Sequence, residues 1–302
     1  MAEIDLSQLP TPDFIEELDF EAILSRRKKT FISLFPENQR ADWANTLALE
    51  SEPVTKLLEE SAYMEMLLRA RINNGVRASM LAYATGTDLD NIAANFNTQR
   101  LTITPADDST NPPTPAVMES DDNLRKRCQL SFEGITTAGP IGSYRYHALS
   151  ADGKVKDVGV SSPEPGQVLL SVLSYDNDGT ADQALQDKVY EACNDDSVRP
   201  LCDTVTVQSA KIINYQIVAT LTLYPEVTES ISLTAANQAI NHFTQKHHKL
   251  GHDITLSGIY SALHQEGVQN VHITQPLFDI VIDNLSAGFC TNITLSVGGR
   301  DE

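Results

Sequence analysis

Val155-Lys-Asp-Val-Gly-Val160 and Val168-Leu-Leu-Ser-Val-Leu-Ser-Tyr175 are two short apolar runs on either side of Ser161-Ser-Pro-Glu-Pro-Gly166. Runs of that length bounded by turn residues read as strands, and two prolines with a glycine make a strong turn between them. Thr180 and Gln183 follow, spaced as a capping box for a helix through Cys193. Strand, turn, strand and helix in that order predict a small two-layer α+β unit.

Toward the C-terminus, Thr204 to Tyr224 alternates as two strands in series or as one strand shared between two sheets. A helix capped near Thr234, a helix from Leu256 to Glu266 ended by Gly267, and strands near Val271 and Ile293 make a second α+β unit. Leu256, Ile259, Tyr260 and Leu263 share one face of the later helix. No residue-level repeat marks the two units as a duplication.

Upstream of the quoted strands, Ser120 caps a predicted helix from Asp121 to Phe132, and Gly139-Pro-Ile-Gly142 turns into a short helix. Pro105 to Pro115 holds four prolines among Asp, Ser, Thr and Asn, a composition that buries nothing and reads as a linker or exposed loop. It is the expected domain boundary. The predicted fold is therefore α+β: a helical region over 1–104, a linker over 105–118, and α+β domains over 119–211 and 212–302.

Within the helical region, Asp19 caps a helix through Phe35 whose stripe is Phe20, Ile23, Leu24, Phe31, Leu34 and Phe35. Pro53 opens a longer helix to Asn73, with Gly75 just beyond its end. That helix has two apolar lines. Val54, Leu57, Ser61, Met64 and Leu68 form one, and Leu58, Ala62 and Met66 lie beside it. An arc that wide is buried within its own domain or packed between several helices, where a partner covers the second line. Val54, Leu57, Leu58, Met64, Met66 and Leu68 are the candidate interface residues. Gly86 is expected to end a further helix and Thr87 to cap the next, which carries Leu89, Ile92, Ala93 and Phe96 on a narrow face.

Composition limits the function classes. The chain has 41 Asp and Glu against 22 Lys and Arg, a formal net charge of -19. Such a chain is repelled by phosphate backbones, so nucleic acid is not an expected partner. Its basic cluster, Arg26-Arg27-Lys28-Lys29, reads as a solvated helix face, or in a sharper reading as a contact with an acidic neighbour. Four widely spaced cysteines without a CxxC pair read as reduced, buried thiols. The acidic stretch Met1 to Pro12 lacks the features of a signal peptide, and no window is apolar enough to span a membrane. A cytoplasmically made protein with no membrane partner is the expectation.

Catalytic motifs fail on their residues. Six of the seven histidines lie in or near His242 to His252, but His248 and His252 flank Gly251 and no Cys or Glu completes a metal set. Ser174 to Gly179 resembles the front of a calcium loop, yet Ser174 and Leu185 stand where the loop needs carboxylates. Gly139 to Gly142 lacks the Lys-Ser/Thr of a phosphate loop. No catalytic residue, cofactor or metal is assigned.

Several segments together resemble a known family. Leu9-Pro-Thr-Pro-Asp-Phe-Ile-Glu-Glu-Leu-Asp-Phe-Glu-Ala-Ile-Leu24 is similar to the opening of baseplate J proteins of P2-like phages. Leu81 to Arg100, with Gly86-x-Asp-Leu-Asp-x-Ile-Ala93, resembles the close of their helical region, and Glu119-Ser-Asp-Asp-Asn-Leu-Arg-Lys-Arg127 a later segment. Thr137-Ala-Gly-Pro-Ile-Gly-Ser-Tyr-Arg-Tyr-His-Ala-Leu-Ser-Ala151 is the most specific match. Val155-Lys-Asp-Val158, Ser162-Pro-Glu-Pro-Gly166 and Val198-Arg-Pro-Leu-Cys-Asp-x-Val205 follow in order. The chain departs at Asn177-Asp178 and matches least distinctively beyond Tyr224.

The resemblance implies a structural protein of a contractile tail, placed in the wedges of a six-fold baseplate around the hub. It implies pairing, through the N-terminal helices, with a second copy and with a smaller wedge protein of the tail protein I type. The α+β regions would form a ring that connects wedges, meets other wedge and hub proteins, and rearranges on sheath contraction. The virion tail, assembled in the bacterial host cytoplasm, is the implied location. The alternatives are an envelope-degrading hydrolase of a tail, and the same wedge role in a tailocin or other contractile injection system.

Overall fold

Asp19 shows how local chemistry starts the fold. Its carboxylate accepts from the amides of Glu21 at 2.9 Å and Ala22 at 3.2 Å, satisfying two donors that the first helical turn leaves free. The structure is a computed structural model that describes residues 4–301. Met1 to Glu3 of the acidic opening, and Glu302, lie outside the described residues. Two compact units emerge, Met1–Asn95 and Phe96–Glu302.

The first unit is helical. Helix α1 (Phe20–Ser33) ends at Leu34, a residue before the expected Phe35. A short helix α2 (Arg40–Thr46) follows that periodicity did not reveal. It brings Trp43 against Phe35, with ring centroids 4.6 Å apart. Helix α3 (Pro53–Ala78) opens on Pro53 as expected but runs past Asn73 and Gly75 to Ser79. Nothing crowds the Gly75 position, and the Ser79 amide closes the helix onto the Gly75 and Val76 carbonyls at 3.2 Å. Helix α4 (Gly86–Ala94) corrects a second boundary. Residues 79–83 are turns rather than a helix ended by Gly86, and the cap position is Thr85, not Thr87. Leu89 and Ala93 are fully buried, as the narrow face required.

The second unit begins with two short antiparallel strands, β1 (Thr102–Thr104) and β2 (Val117–Met118). They close the proline-rich stretch into a loop, bridged again at Asp107 and Thr114, in which residues 105–118 are exposed. Helix α5 (Asp121–Leu130) is capped by Ser120, whose hydroxyl accepts from the Asn123 amide, and stops short of Phe132. Helix α6 (Ile141–Ala151) follows the Gly139 turn, where φ is +74° and Pro200 packs against the bare Cα.

Strands β3 (Val155–Ser161) and β4 (Gln167–Ser174) form the antiparallel pair read from the sequence. Helix α7 (Gln183–Cys193) is capped by Asp182, which accepts from the Leu185 amide at 2.8 Å, rather than by Thr180. It crosses over to β5 (Thr204–Ser209), parallel to β4, as a strand-helix-strand unit requires. Tyr144, Leu170, Val172 and Val189 fill the core between this sheet and helices α6 and α7.

The long β-rich stretch is two strands in series, each in its own sheet. Strand β6 (Lys211–Leu223) is the centre of the second sheet. Helix α8 (Glu229–His247) starts after Thr228; Thr234 lies inside it, its hydroxyl donating back to the Ser230 carbonyl at 2.7 Å. Helix α9 (Leu256–Leu263) is capped by Thr255 and ends before Glu266. Its buried face is Ile259 and Leu263, while Tyr260 is exposed. Strand β7 (Val268–Gln275) pairs antiparallel with β6, and β8 (Ser286–Arg300) parallel to it, giving the order β7-β6-β8. Ile217, Leu221, Ile240 and Ile259 form the core under α8 and α9.

The two sheets join through Leu173, Ala210 and Ala287. Here the Ser171 hydroxyl donates to the Leu285 carbonyl at 3.0 Å, and the Leu250 amide to Asp157. The architecture is α+β: N-terminal helices, then two small mixed sheets packed with helices.

Candidate functional site: the uncovered line of the long helix

Helix α1 covers only one of the two apolar lines of α3. Ile23 and Leu24 pack on Ala62, with Phe20, Leu58 and Met66 closing around them. Polar groups fix that pairing. Glu65 accepts from Arg27 Nε at 2.8 Å and Arg69 Nε at 2.9 Å, and also pairs with Arg26. Arg27 reaches Ser61 Oγ at 2.6 Å, and Lys28 the Leu47 carbonyl at 2.9 Å. Arg26, Arg27 and Lys28 of the basic cluster thus find partners inside their own unit. Desolvation pushes the Glu65 carboxyl up, but Arg69, Arg27 and Arg26 together bring it below the usual carboxylate range.

The segment before α1 holds the other end of α3. Asn73 Nδ2 donates to the Glu16 carbonyl at 2.8 Å, its Oδ1 accepts from the Glu16 amide at 3.2 Å, and Arg69 pairs with the Glu16 carboxylate.

The second line is bare. Leu57 is 71% exposed, Met64 55% and Leu68 62%. Their spacing of seven and four places all three on one side of the helix. Val54 extends the line half-buried. Leu67 and Ile72, also exposed, widen it, and neither was among the sequence candidates. Their signal lay one turn from Met64 and Leu68, outside the strict seam. Phe14, Leu68, Ile72 and Arg69 line a groove of about 310 Å³ at its C-terminal end. Among the candidates, then, Leu57, Met64 and Leu68 come together on the uncovered line, and Leu58 and Met66 face α1.

His247 Nδ1 lies 2.9 Å from the Phe243 carbonyl and His248 Nδ1 2.8 Å from the Gly288 carbonyl. Among the described residues, no three His, Cys, Asp or Glu side chains converge as metal ligands. Burial pushes the Cys128 thiol up to about 11 and the Cys193 thiol to about 12, so both stay protonated. Cys202 corrects the expectation of buried thiols: it is exposed. No described helix is long and apolar enough to cross a membrane.

Comparison with known proteins decides the family. Three family models match in order: the baseplate J-like N-terminal domain over residues 50–107, the central domain over 136–209 and the C-terminal domain over 215–296. The chain is 55% identical to baseplate protein J of Escherichia phage P2 over 302 residues, all of both chains. It belongs to the baseplate J family. Baseplate J proteins are structural, and this one is a component of a viral tail baseplate rather than an enzyme. A cryo-EM structure of the anti-feeding prophage baseplate, six-fold symmetrised, is similar at 12% identity with a TM-score of 0.43, over 63% of this chain and 45% of that one. Helix α3 lies wholly inside the match to the baseplate J N-terminal domain.

Proposed function

We propose that this baseplate J chain is a wedge component whose helix α3 is shared with helices of other chains. The observation that carries the reading is the bare line Leu57, Met64 and Leu68 on a helix whose opposite line is already packed. Large apolar side chains repeated at helical spacing on an exposed face are what a helix-in-bundle contact uses. Burying each contributes about 1.5–3 kcal/mol, so a partner covering three gains several kcal/mol before the costs of association.

The partners are a second copy of this chain and a smaller wedge protein of the tail protein I type, as the family resemblance implies. The two sheets of the second unit form the part that links wedges into a ring around the hub and rearranges on sheath contraction. A Leu57→Asp, Met64→Asp double variant tests the reading. Its second unit folds normally by circular dichroism, and the protein fails to enter wedges when supplied to a tail lacking the native chain. Normal assembly of that variant into contractile tails would refute the bundle role.

A further inference from the structure

In a chain with 22 Lys and Arg against 41 Asp and Glu, one cleft of the second unit is lined by a lysine, Lys156, with Lys249 near enough to act on its charge. Lys249, just past the end of α8, lies within electrostatic reach of Lys156 of β3, of Lys126 of α5 and of Lys246, and His248 is within reach of Lys156. The acids nearby are already engaged. Asp157 accepts from Arg145 Nη2 at 3.1 Å, from the Val158 amide at 2.9 Å and from the Leu250 amide at 3.2 Å. Asp178 accepts from the Thr180 amide at 3.0 Å.

Lys156 and Lys249 have no ion pair among the described residues, although both are partly buried. The Lys156 ammonium sits 5.8 Å from the centre of the Tyr175 ring. Burial pulls it down to about 8, with Lys249 adding to the effect and Asp157 opposing it. Burial, with Lys126, pulls Lys249 down as well. Asp157 acts on both lysines but is already engaged by Arg145 and two amides, so an arriving anion relieves the repulsion that remains between them.

A cleft of about 260 Å³ opens beside Lys156, and its walls include Tyr175, Asn177, Gln245 and His248. The walls are fixed. Asn177 holds φ at +50° in the turn after β4, and Gly179, at φ +99°, leaves room for the His248 ring, whose Nε2 would lie 2.9 Å from a Cβ there. His248 Nδ1 is taken by the Gly288 carbonyl. The carboxamides of Asn177 and Gln245 and the Tyr175 hydroxyl, which accepts from Asn123, are neutral hydrogen-bonding groups around one unpaired cation.

We propose that this cleft is an oxyanion-binding site, taking a carboxylate or phosphate group against the Lys156 ammonium. The oxyanion is either a free ion or an acidic side chain of another baseplate protein; the chemistry is the same.

The test is an amide chemical-shift titration of the ¹⁵N-labelled full chain at neutral pH and low salt, first with inorganic phosphate, then with a tetraglutamate peptide. Saturable shifts at Asn177, Gln245 and His248 are expected for at least one ligand. Lys156→Gln weakens that binding by about tenfold or more, the loss of a hydrogen bond to a charged group. Lys188→Gln, on α7 and paired with Asp152, leaves it unchanged. Tighter binding of phosphate identifies a free ion, and tighter binding of the peptide identifies a protein carboxylate. Shifts that never saturate with either ligand, or binding unaltered by Lys156→Gln, would overturn the proposal. Should Lys156→Gln unfold, Gln245→Ala, which removes a carboxamide from the cleft wall, serves in its place, with weaker binding again expected.

Discussion

The Leu250 amide donates to Asp157 Oδ2 at 3.2 Å, a bond between residues 93 positions apart that ties the first sheet to the second. The same carboxylate takes Arg145 and the Val158 amide, and Asp157 is buried. Removing it leaves the Leu250 and Val158 amides without this acceptor. Asp157→Ala is therefore expected to cost about 2–4 kcal/mol in urea unfolding, the range for orphaned buried donors. A loss under about 0.5 kcal/mol would mean that the Asp157 carboxylate contributes little to joining the sheets.

Tyr215 presents the opposite case. Its hydroxyl is buried on β6 and, among the described residues, has no hydrogen-bond partner; burial raises its pKa. Tyr215→Phe removes an unsatisfied polar atom and nothing else. The change should be neutral or stabilising by up to about 1 kcal/mol. A clear fall in the thermal midpoint would show that the hydroxyl has a partner.

Caps and strands were legible in the sequence where the chemistry is local. Asp19 and Ser120 cap where their side chains reach the next amides, and Pro53 suits a first turn. Thr180 and Thr234 failed because a competing residue stood nearby: Asp182 took the α7 cap, and α8 began at Thr228, leaving Thr234 inside. Such choices depend on where the preceding chain is held. Both apolar lines of α3 were visible, but which one is free depends on the docking of Ile23 and Leu24, a tertiary contact. The parallel partnership of β6 with β8 and the gathering of Lys126, Lys156 and Lys249 join distant segments, and no local pattern encodes them.

Stability should fall on mild acidification. Burial lowers the pKa of His147 and His248 below 6.5, with the Gly134 and Gly288 carbonyls opposing that shift. A base lowered in the folded state is protonated first in the unfolded chain. The stability it contributes is complete above 6.5 and declines as pH falls through that value toward the folded pKa. The urea midpoint should therefore drop between about pH 7.5 and pH 5.5, and the His147→Gln, His248→Asn double variant should drop less. An identical slope in both proteins would assign the pH dependence to other groups.

The loop over 105–118 is exposed throughout, closed by β1, β2 and the Asp107–Thr114 bridge and braced inside by Ser109 and Thr110. Brief digestion with thermolysin or proteinase K is expected to cut there first. First cuts elsewhere would mean that the loop is better held than its exposure implies.

The central claim is that the bare line of α3 meets another chain, and photo-cross-linking in assembled tails tests it most directly. A benzophenone amino acid replaces Leu57 or Met64 on the uncovered line, and Leu58 on the line packed against α1 serves as the control. Adducts to another chain, a second copy or a smaller wedge protein, are expected from positions 57 and 64, and adducts within the chain from position 58. Tails that assemble normally yet give no interchain adduct at either 57 or 64 would contradict it.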